Sequence, residues 1–310
     1  MSRILVIGGV NMDLHLFGVR RPSLNSTLLV DHYLTEPGGK GANVARAAAR
    51  LGAAVHLVAR VGDDQFGHQC LRAIESDGVD VSAVVVTPNV PTGFVAIELT
   101  EGHHRSLVFA PGANDELAWP DIEPALVGLG DDDIVIVQAE VPTAALAMLA
   151  ARIAADGVRM FLDPTPPERI DRSTLRSAHV ITPDREEAAA LAGRSDTSEL
   201  WPELAAHDLR DAGASVVIVK TGATGAVLAT DEGTFQVPTL AVEAIDETGA
   251  GDVFMAALAV RRSEGATWED AVRFANAASA LSVAHRGLLL PDRPTVDAAH
   301  ANVGPAHRLR

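Results

Sequence analysis

Residues 247–254 read E-T-G-A-G-D-V-F, and the apolar run V-F-M-A-A-L-A-V occupies 253–260. A turn of small residues, Gly249, Ala250 and Gly251, therefore opens a helix that carries Asp252 in its first turn. Such a turn leaves backbone N–H groups free at the positive end of the helix dipole, which is a ready anion site. Small residues also let a phosphate or a developing oxyanion approach the backbone closely. An aspartate there repels a resident anion. It suits a base that takes a proton from a hydroxyl about to attack a phosphoryl group. The plainer alternative is a helix start with an acid in its first turn, favoured by the dipole. This stretch alone does not choose between the two.

Outward from it, strands and helices alternate. R-I-L-V-I-G (3–8) reads as a central strand, followed by helix N-V-A-R-A-A-A-R-L-G (43–52), which stops at Gly52. V-H-L-V-A-R-V-G, D-I-V-I-V-Q, R-M-F-L-D-P, H-V-I-T-P and S-V-V-I-V-K-T-G read as further buried strands with helices between them. The rhythm predicts an α/β fold, a largely parallel central sheet with helices on both faces. Two strand-rich segments interrupt it, near 14–36 (with L-L-V-D-H-Y-L) and 92–110 (G-F-V-A-I-E-L-T and S-L-V-F-A around E-G-H-H-R). They are expected to form a small β-sheet lid over a main domain of residues 1–13, 37–91 and 111–310. His103 and His104 read as a hairpin tip rather than a metal site. The tail A-H-A-N-V-G-P-A-H-R-L-R reads as frayed.

Composition narrows the function classes. The 41 acids against 25 bases give a net charge of −16, which disfavours nucleic acid as a partner. The single cysteine, Cys70, rules out a disulfide framework or a thiolate metal cluster within one chain and reads as core packing. The first residues read as a buried strand and not a signal peptide. No apolar run reaches the roughly 18 residues needed to span a bilayer, so no membrane association and a cytoplasmic location are expected.

Two more stretches carry chemistry. E-P-G-G-K-G-A-N-V-A (36–45) is a second glycine turn into a helix, with Lys40 and Asn43 as donors. Its spacing is not that of the G-x-x-x-x-G-K-[ST] loop, so it reads as a close-approach turn for a small polar ligand or as a structural helix entry. I-G-G-V-N-M-D (7–13) lacks G-x-G-x-x-G and does not run directly into a helix, which excludes a dinucleotide fingerprint. Asn11, Asp13 and Glu140 (in I-V-I-V-Q-A-E-V-P) lie just past strand ends, where α/β proteins bind ligands.

Taken in order and spacing, G-G-V-N-M-D, G-G-K-G-A-N, P-G-A-N (111–114), V-Q-A-E, V-K-T-G-A-T-G and D-E-T-G-A-G-D-V-F resemble the ribokinase-like (PfkB) kinases from about residue 3 to about residue 291. The resemblance implies an ATP-dependent kinase that phosphorylates a primary hydroxyl of a small sugar, ribose or a related pentose or ketose, with ATP, Mg²⁺ and K⁺ as cofactors. It makes Asp252 the catalytic base and the N–H groups of Gly249, Ala250 and Gly251 an anion hole. It places Asn11, Asp13, Gly39, Lys40, Asn43 and Glu140 on the sugar. Asp184, Lys220, Gly222, Gly225 and Asn276 fall on the ATP side, and Glu187 near Mg²⁺ through water. Asp246, Thr248, Ser282, His285 and Gly287 fall on a monovalent-cation loop. A homodimer through the lid is a further expectation.

The chain departs from the family pattern at three places. Asp184 replaces the usual asparagine of N-x-x-E, a charge to be offset by a metal or by Arg185; P-S-L-N-S-T (22–27) replaces the common lid entry; His285 replaces a longer cationic residue. Two rivals remain on the same fold. One is a nucleoside kinase, which needs an apolar or aromatic clamp from Phe17, Tyr33, Phe94 or Phe109. The other is a catalytically silent sensor of sugar or nucleotide.

Overall fold

The computed structural model describes residues 2–19, 27, 29–100, 105–194 and 201–309. The chain opens with β1 (Ile4–Ile7), β2 (Asn11–Val19), β3 (His32–Gly38) and α1 (Lys40–Arg50). β4 (Val55–Gly62), α2 (Gln65–Ser76), β5 (Asp80–Thr87), β6 (Gly93–Thr100) and β7 (Arg105–Ala110) follow. After a short α3 (Trp119–Ile122) come β8 (Ile134–Gln138), α4 (Thr143–Asp156), β9 (Arg159–Asp163), α5 (Arg172–Ser177), β10 (Val180–Ile181), α6 (Arg185–Ala192) and α7 (Trp201–Asp211). The last third holds β11 (Val216–Lys220), β12 (Ala226–Thr230), β13 (Gly233–Val237), α8 (Ala250–Ser263), α9 (Trp268–Val283), α10 (Arg293–His300) and β14 (His307–Arg308).

The strands make two sheets. The large one is 10-stranded, in the order β14-β13-β12-β11-β10-β9-β8-β1-β4-β5. From β5 to β11 neighbours run parallel, whereas β12, β13 and β14 are antiparallel additions at one edge. Successive residues of one strand feed opposite cores, as the period of two requires. Ile4 and Val6 pack with α1, α8 and α9, while Leu5 and Ile7 pack with α4 and α7. Helices therefore cover both faces. The second sheet is 4-stranded, β3-β2-β6-β7, with β2 parallel to β6 and antiparallel to β3.

The fold class agrees with the sequence reading, and several elements differ in detail. β3 lies later than L-L-V-D-H-Y-L and runs through Pro37, which pairs with Met12. Proline is tolerated there because β3 is an edge strand. β5 and the β12–β13 hairpin were not read as strands. The tail is tied down rather than frayed: β14 pairs with β13, Leu309 N–H donates to Thr234 O at 2.8 Å, and Val303 is buried. Residues 22–26 of the lid entry and the hairpin tip 101–104 lie outside the described residues. Among the described residues no helix is long and apolar enough to cross a membrane. Cys70 is buried, donates to Asn11 O at 3.3 Å, and its thiol is pushed up to about 12 by burial.

Candidate active site

Parallel strands deliver their C-terminal ends to one rim. The segment Gly8–Asp13 follows β1, Glu140 follows β8, Asp163 ends β9 and Lys220 ends β11. The two glycine turns that open α1 and α8 face the same rim. Between it and the small sheet lies a cleft of about 710 Å³. Gly249, Ala250, Gly251 and Asp252 line it, as do Asn11, Asp13, Gly39, Lys40, Asn43 and Glu140. So do Asp184, Glu187, Lys220, Gly222, Gly225, Asn276 and Thr248. Asp246, Ser282, His285 and Gly287 sit behind the turn rather than on the cleft wall.

Backbone geometry explains both glycine turns. Gly249 has φ 71°, and a Cβ there would fall 2.2 Å from Leu288 Cδ1. Gly39 has φ 90°, and a Cβ there would fall 2.6 Å from Asn11 N. A side chain at either position is strained as well as blocked. Ala250 N–H donates to Glu247 O at 3.2 Å.

Asp252 is 3% exposed, its Oδ2 accepts from Asn43 Nδ2 at 2.9 Å, and its Oδ1 is 3.9 Å from Lys40 Nζ. Burial raises its proton affinity, Lys40 opposes this, and the nearby Asp163 carboxylate adds to it. On the sugar-expected side, Asn114 Nδ2 donates to Asn11 Oδ1 at 2.8 Å while Asn114 Oδ1 accepts from Val10 N–H at 2.9 Å. Glu140 Oε2 accepts from Lys40 N–H at 3.2 Å. Burial pushes both Asp13 and Glu140 up to about 7, with neighbouring acids adding to the shift and His15 and Lys40 respectively opposing it. The Lys40 ammonium is held above its ordinary value, against the effect of burial, by Asp163, Asp252, Glu140 and Glu187.

The small sheet contributes Val95, Ile97 and Leu107 to the cleft, an aliphatic wall. Among the described residues, Phe17 stacks on His32 at 4.3 Å, Phe94 faces Phe66 at 6.0 Å and Tyr33 is 68% exposed, whereas Phe109 pairs with Val95 and so shares the face of the small sheet that carries the aliphatic wall.

On the opposite side, Asp184 caps α6: its Oδ1 accepts from Glu187 N–H at 2.9 Å, and Glu187 Oε2 accepts from Asp184 N–H at 2.8 Å. Asparagine and aspartate both perform this task, so the replacement leaves the helix start intact. Arg185 places its guanidinium over the Trp201 ring, 5.7 Å from its centroid. Burial raises Glu187, and Lys220 opposes this. Asn276 donates to Val237 O at 3.1 Å and Pro238 O at 3.0 Å, so it also anchors the segment after β13 to α9. In the loop behind the turn, Asp246 Oδ1 accepts from Thr248 N–H at 2.9 Å and from its hydroxyl at 2.7 Å. Asp246 Oδ2 accepts from Gly287 N–H at 2.9 Å. His285 N–H donates to Ser282 O at 3.2 Å, and Val283 O receives Ile245 and Asp246 N–H at 2.7 and 3.2 Å. Among the described residues no cluster of three or more His, Cys, Asp or Glu side chains forms a metal cage.

Residues 1–295 match the model of the pfkB family carbohydrate kinases. The chain belongs to the PfkB family. A Bacillus subtilis ribokinase is 34% identical over 287 residues, 93% of this chain and 94% of that one. A Salmonella typhi deoxyribokinase is 30% identical over 285 residues, 92% of this chain and 93% of that one. The Arabidopsis thaliana ribokinase solved with ribose and ATP is similar in structure, with a TM-score of 0.86 at 29% identity over 97% of this chain and 99% of that one. This PfkB protein is an ATP-dependent sugar kinase.

Within that frame the structure brings in residues that the sequence reading missed. Asp163 is 1% exposed and its Oδ2 is 3.9 Å from Lys40 Nζ. The Thr165 hydroxyl lies between Asp163 Oδ1, at 3.0 Å, and Glu187 Oε1. P-G-A-N was read as a motif without a role, and the Asn114 amide proves to tie that segment to the β1–β2 junction. The signals available were D-P-T at a strand end and the motif itself.

Proposed function

We propose that the chain transfers the γ-phosphoryl group of ATP to a primary hydroxyl of ribose or a closely related pentose or ketose. The observation that carries this reading is the placement of Asp252: buried, hydrogen-bonded to Asn43, beside Lys40, and at the head of α8 on the cleft wall. Asn11, Asp13, Gly39, Lys40, Asn43 and Glu140 hold the sugar, because carboxylates and amides can each engage two neighbouring hydroxyls. The aliphatic wall of Val95, Ile97 and Leu107 covers the sugar, and among the described small-sheet residues that line the cleft none is aromatic, which favours a bare sugar over a nucleoside.

Asp252 takes the hydroxyl proton as the sugar oxygen attacks the γ-phosphorus in line. The N–H groups of the Gly249–Gly251 turn would stabilise the charge that develops on the transferring group, which requires the Ala250 N–H to leave its 3.2 Å bond to Glu247 O. Lys40 supplies positive charge beside the same atoms. Lys220, Gly222, Gly225, Asp184 and Asn276 form the ATP side.

The donor set fits a magnesium ion carried by the triphosphate. Glu187 Oε2 accepts from Asp184 N–H and Oε1 lies against the Thr165 hydroxyl, which leaves lone pairs on the carboxylate for a metal-bound water. Mg²⁺ supplies neutralisation of phosphate charge there. Asp246, with Thr248 and backbone carbonyls near Ser282, His285 and Gly287, would hold K⁺ beside the turn. The small sheet of β2, β3, β6 and β7 acts as a lid on the main domain, excluding water that would compete as acceptor. Its exposed Tyr33, Leu34 and Val108 suit a homodimer contact through the lid. A cytoplasmic location, where ATP is made available with Mg²⁺, completes the reading.

The test is ADP release from ATP·Mg²⁺ with ribose, deoxyribose, fructose and adenosine, with and without K⁺. Turnover on a pentose or ketose is expected. Turnover on adenosine alone would replace the reading with a nucleoside kinase, and ATP binding without turnover on any acceptor would favour the sensor.

A further inference from the structure

Lys40 lies between two buried carboxylates. Its Nζ is 3.9 Å from Asp252 Oδ1 and 3.9 Å from Asp163 Oδ2. The acids come from different elements, α8 and β9, and approach the ammonium separately. The Thr165 hydroxyl lies 3.0 Å from Asp163 Oδ1, while Oδ2 is turned toward the Lys40 ammonium, with Lys220 and Gln138 also acting on the carboxylate.

A cation paired solely with Asp252 would work against a general base, because an adjacent positive charge lowers proton affinity. A second carboxylate on the same cation divides that effect. We propose that Asp163 is a positioning residue that holds Lys40 shared between two acids and so keeps Asp252 basic enough to take the acceptor's hydroxyl proton. This rests on the kinase reading of the cleft. In that reaction the acceptor O–H bond breaks and its proton goes to Asp252. The oxygen bonds the γ-phosphorus, and the bond from that phosphorus to the bridging oxygen breaks to release ADP.

The two acids respond in opposite directions. Burial alone would raise Asp163, yet Lys40 and Lys220 hold it below the usual carboxylate range, so it stays charged. Asp252 is raised, chiefly by burial, with the charged Asp163 adding to the shift. The groups that face Asp252 are Lys40 and Asn43 from α1, Asp163 from β9 and Lys220 from β11, with the carboxyls of Asp13 from β2 and Glu140 after β8 also within electrostatic reach.

The experiment is the pH profile of kcat for the full chain, Asp163→Asn and Lys40→Met on the best acceptor. It is paired with a carbon-13 carboxyl titration of Asp252, without substrates, assigned by loss of its signal in Asp252→Asn. Asp163→Asn is expected to move the acid limb and the carboxyl titration about one unit lower, and Lys40→Met about one unit higher. A uniform fall in kcat with an unmoved limb, or a limb that moves up in Asp163→Asn, would overturn the proposal. If no acceptor is phosphorylated, the kinase reading fails on its own and the carboxyl titration still decides the sharing of Lys40. If Asp163→Asn does not fold, Lys40→Met decides alone, and an Asp252 titration unmoved or lowered there overturns it.

Discussion

In β1 and β8 the stretches Ile4–Ile7 and Ile134–Val137 are almost entirely shielded from water and wholly apolar. A few residues further on, at the ends of such strands and in the helix turns beside them, Asp13, Asp163 and Asp252 are 9%, 1% and 3% exposed and carry the charge chemistry of the cleft. The same depth of burial thus serves two ends. In the interior it removes apolar surface from water, which is where the fold draws its stability. At the rim it strips water from carboxylates, raising Asp13, Glu140 and Asp252, and that costs stability while tuning proton affinity. Interior substitutions should therefore cost stability and spare the chemistry, and rim substitutions should do the reverse.

The largest expected stability effect is in the interior. Phe161 is fully buried in a three-ring cluster with His179 and Trp268, and Phe161→Ala should cost about 4 kcal/mol in denaturant unfolding. At 25 °C the folded variant should keep kcat within about twofold, since the change touches no rim group. A loss of kcat in fully folded protein would break the comparison.

At the rim, Asp13→Asn should sharpen it. Asp13 is raised from 3.8 to about 7, so between those values the native chain binds more protons than the unfolded one. Its contribution to stability is full below about pH 4 and is lost as pH rises through about 7. Asp13→Asn should match the parent near pH 4 and exceed it by roughly 4 kcal/mol at pH 8, while weakening sugar affinity at least about tenfold. Equal pH slopes of stability in the two proteins would show that the carboxylate is not held at the cost described.

The smallest effect lies away from both regions. Asp171 caps α5 by accepting from Thr174 N–H at 2.7 Å. Asp171→Ala should cost about 1 kcal/mol in thermal unfolding with no change in KM for either substrate. A changed KM would mean that the rim is not insulated from distant helix ends.

Much of this division could be read before the structure. Apolar runs at strand length mark the interior. The glycine turns mark the rim, because only a backbone that must be approached closely needs Gly39 and Gly249. Other features depend on contacts remote in sequence. Asp163 resembles any acid after a strand until β9 brings it to Lys40 on α1. Asn276 sits at a position expected to be near ATP, yet its amide also holds the backbone at Val237 and Pro238. β5 escaped notice because it is an edge strand with partly exposed positions on both faces. The tail escaped notice because the edge of β13 that anchors it is invisible in its own residues.

The most direct test of the central claim is the rate of ADP release on the best sugar acceptor for Asp252→Asn beside the unaltered chain, at saturating ATP·Mg²⁺ and sugar. The amide keeps the shape and the Asn43 contact but cannot accept the proton, so kcat should fall by about 10³-fold or more in protein that remains folded. A variant that retains more than about a tenth of the parent kcat would contradict the assignment of Asp252 as the base.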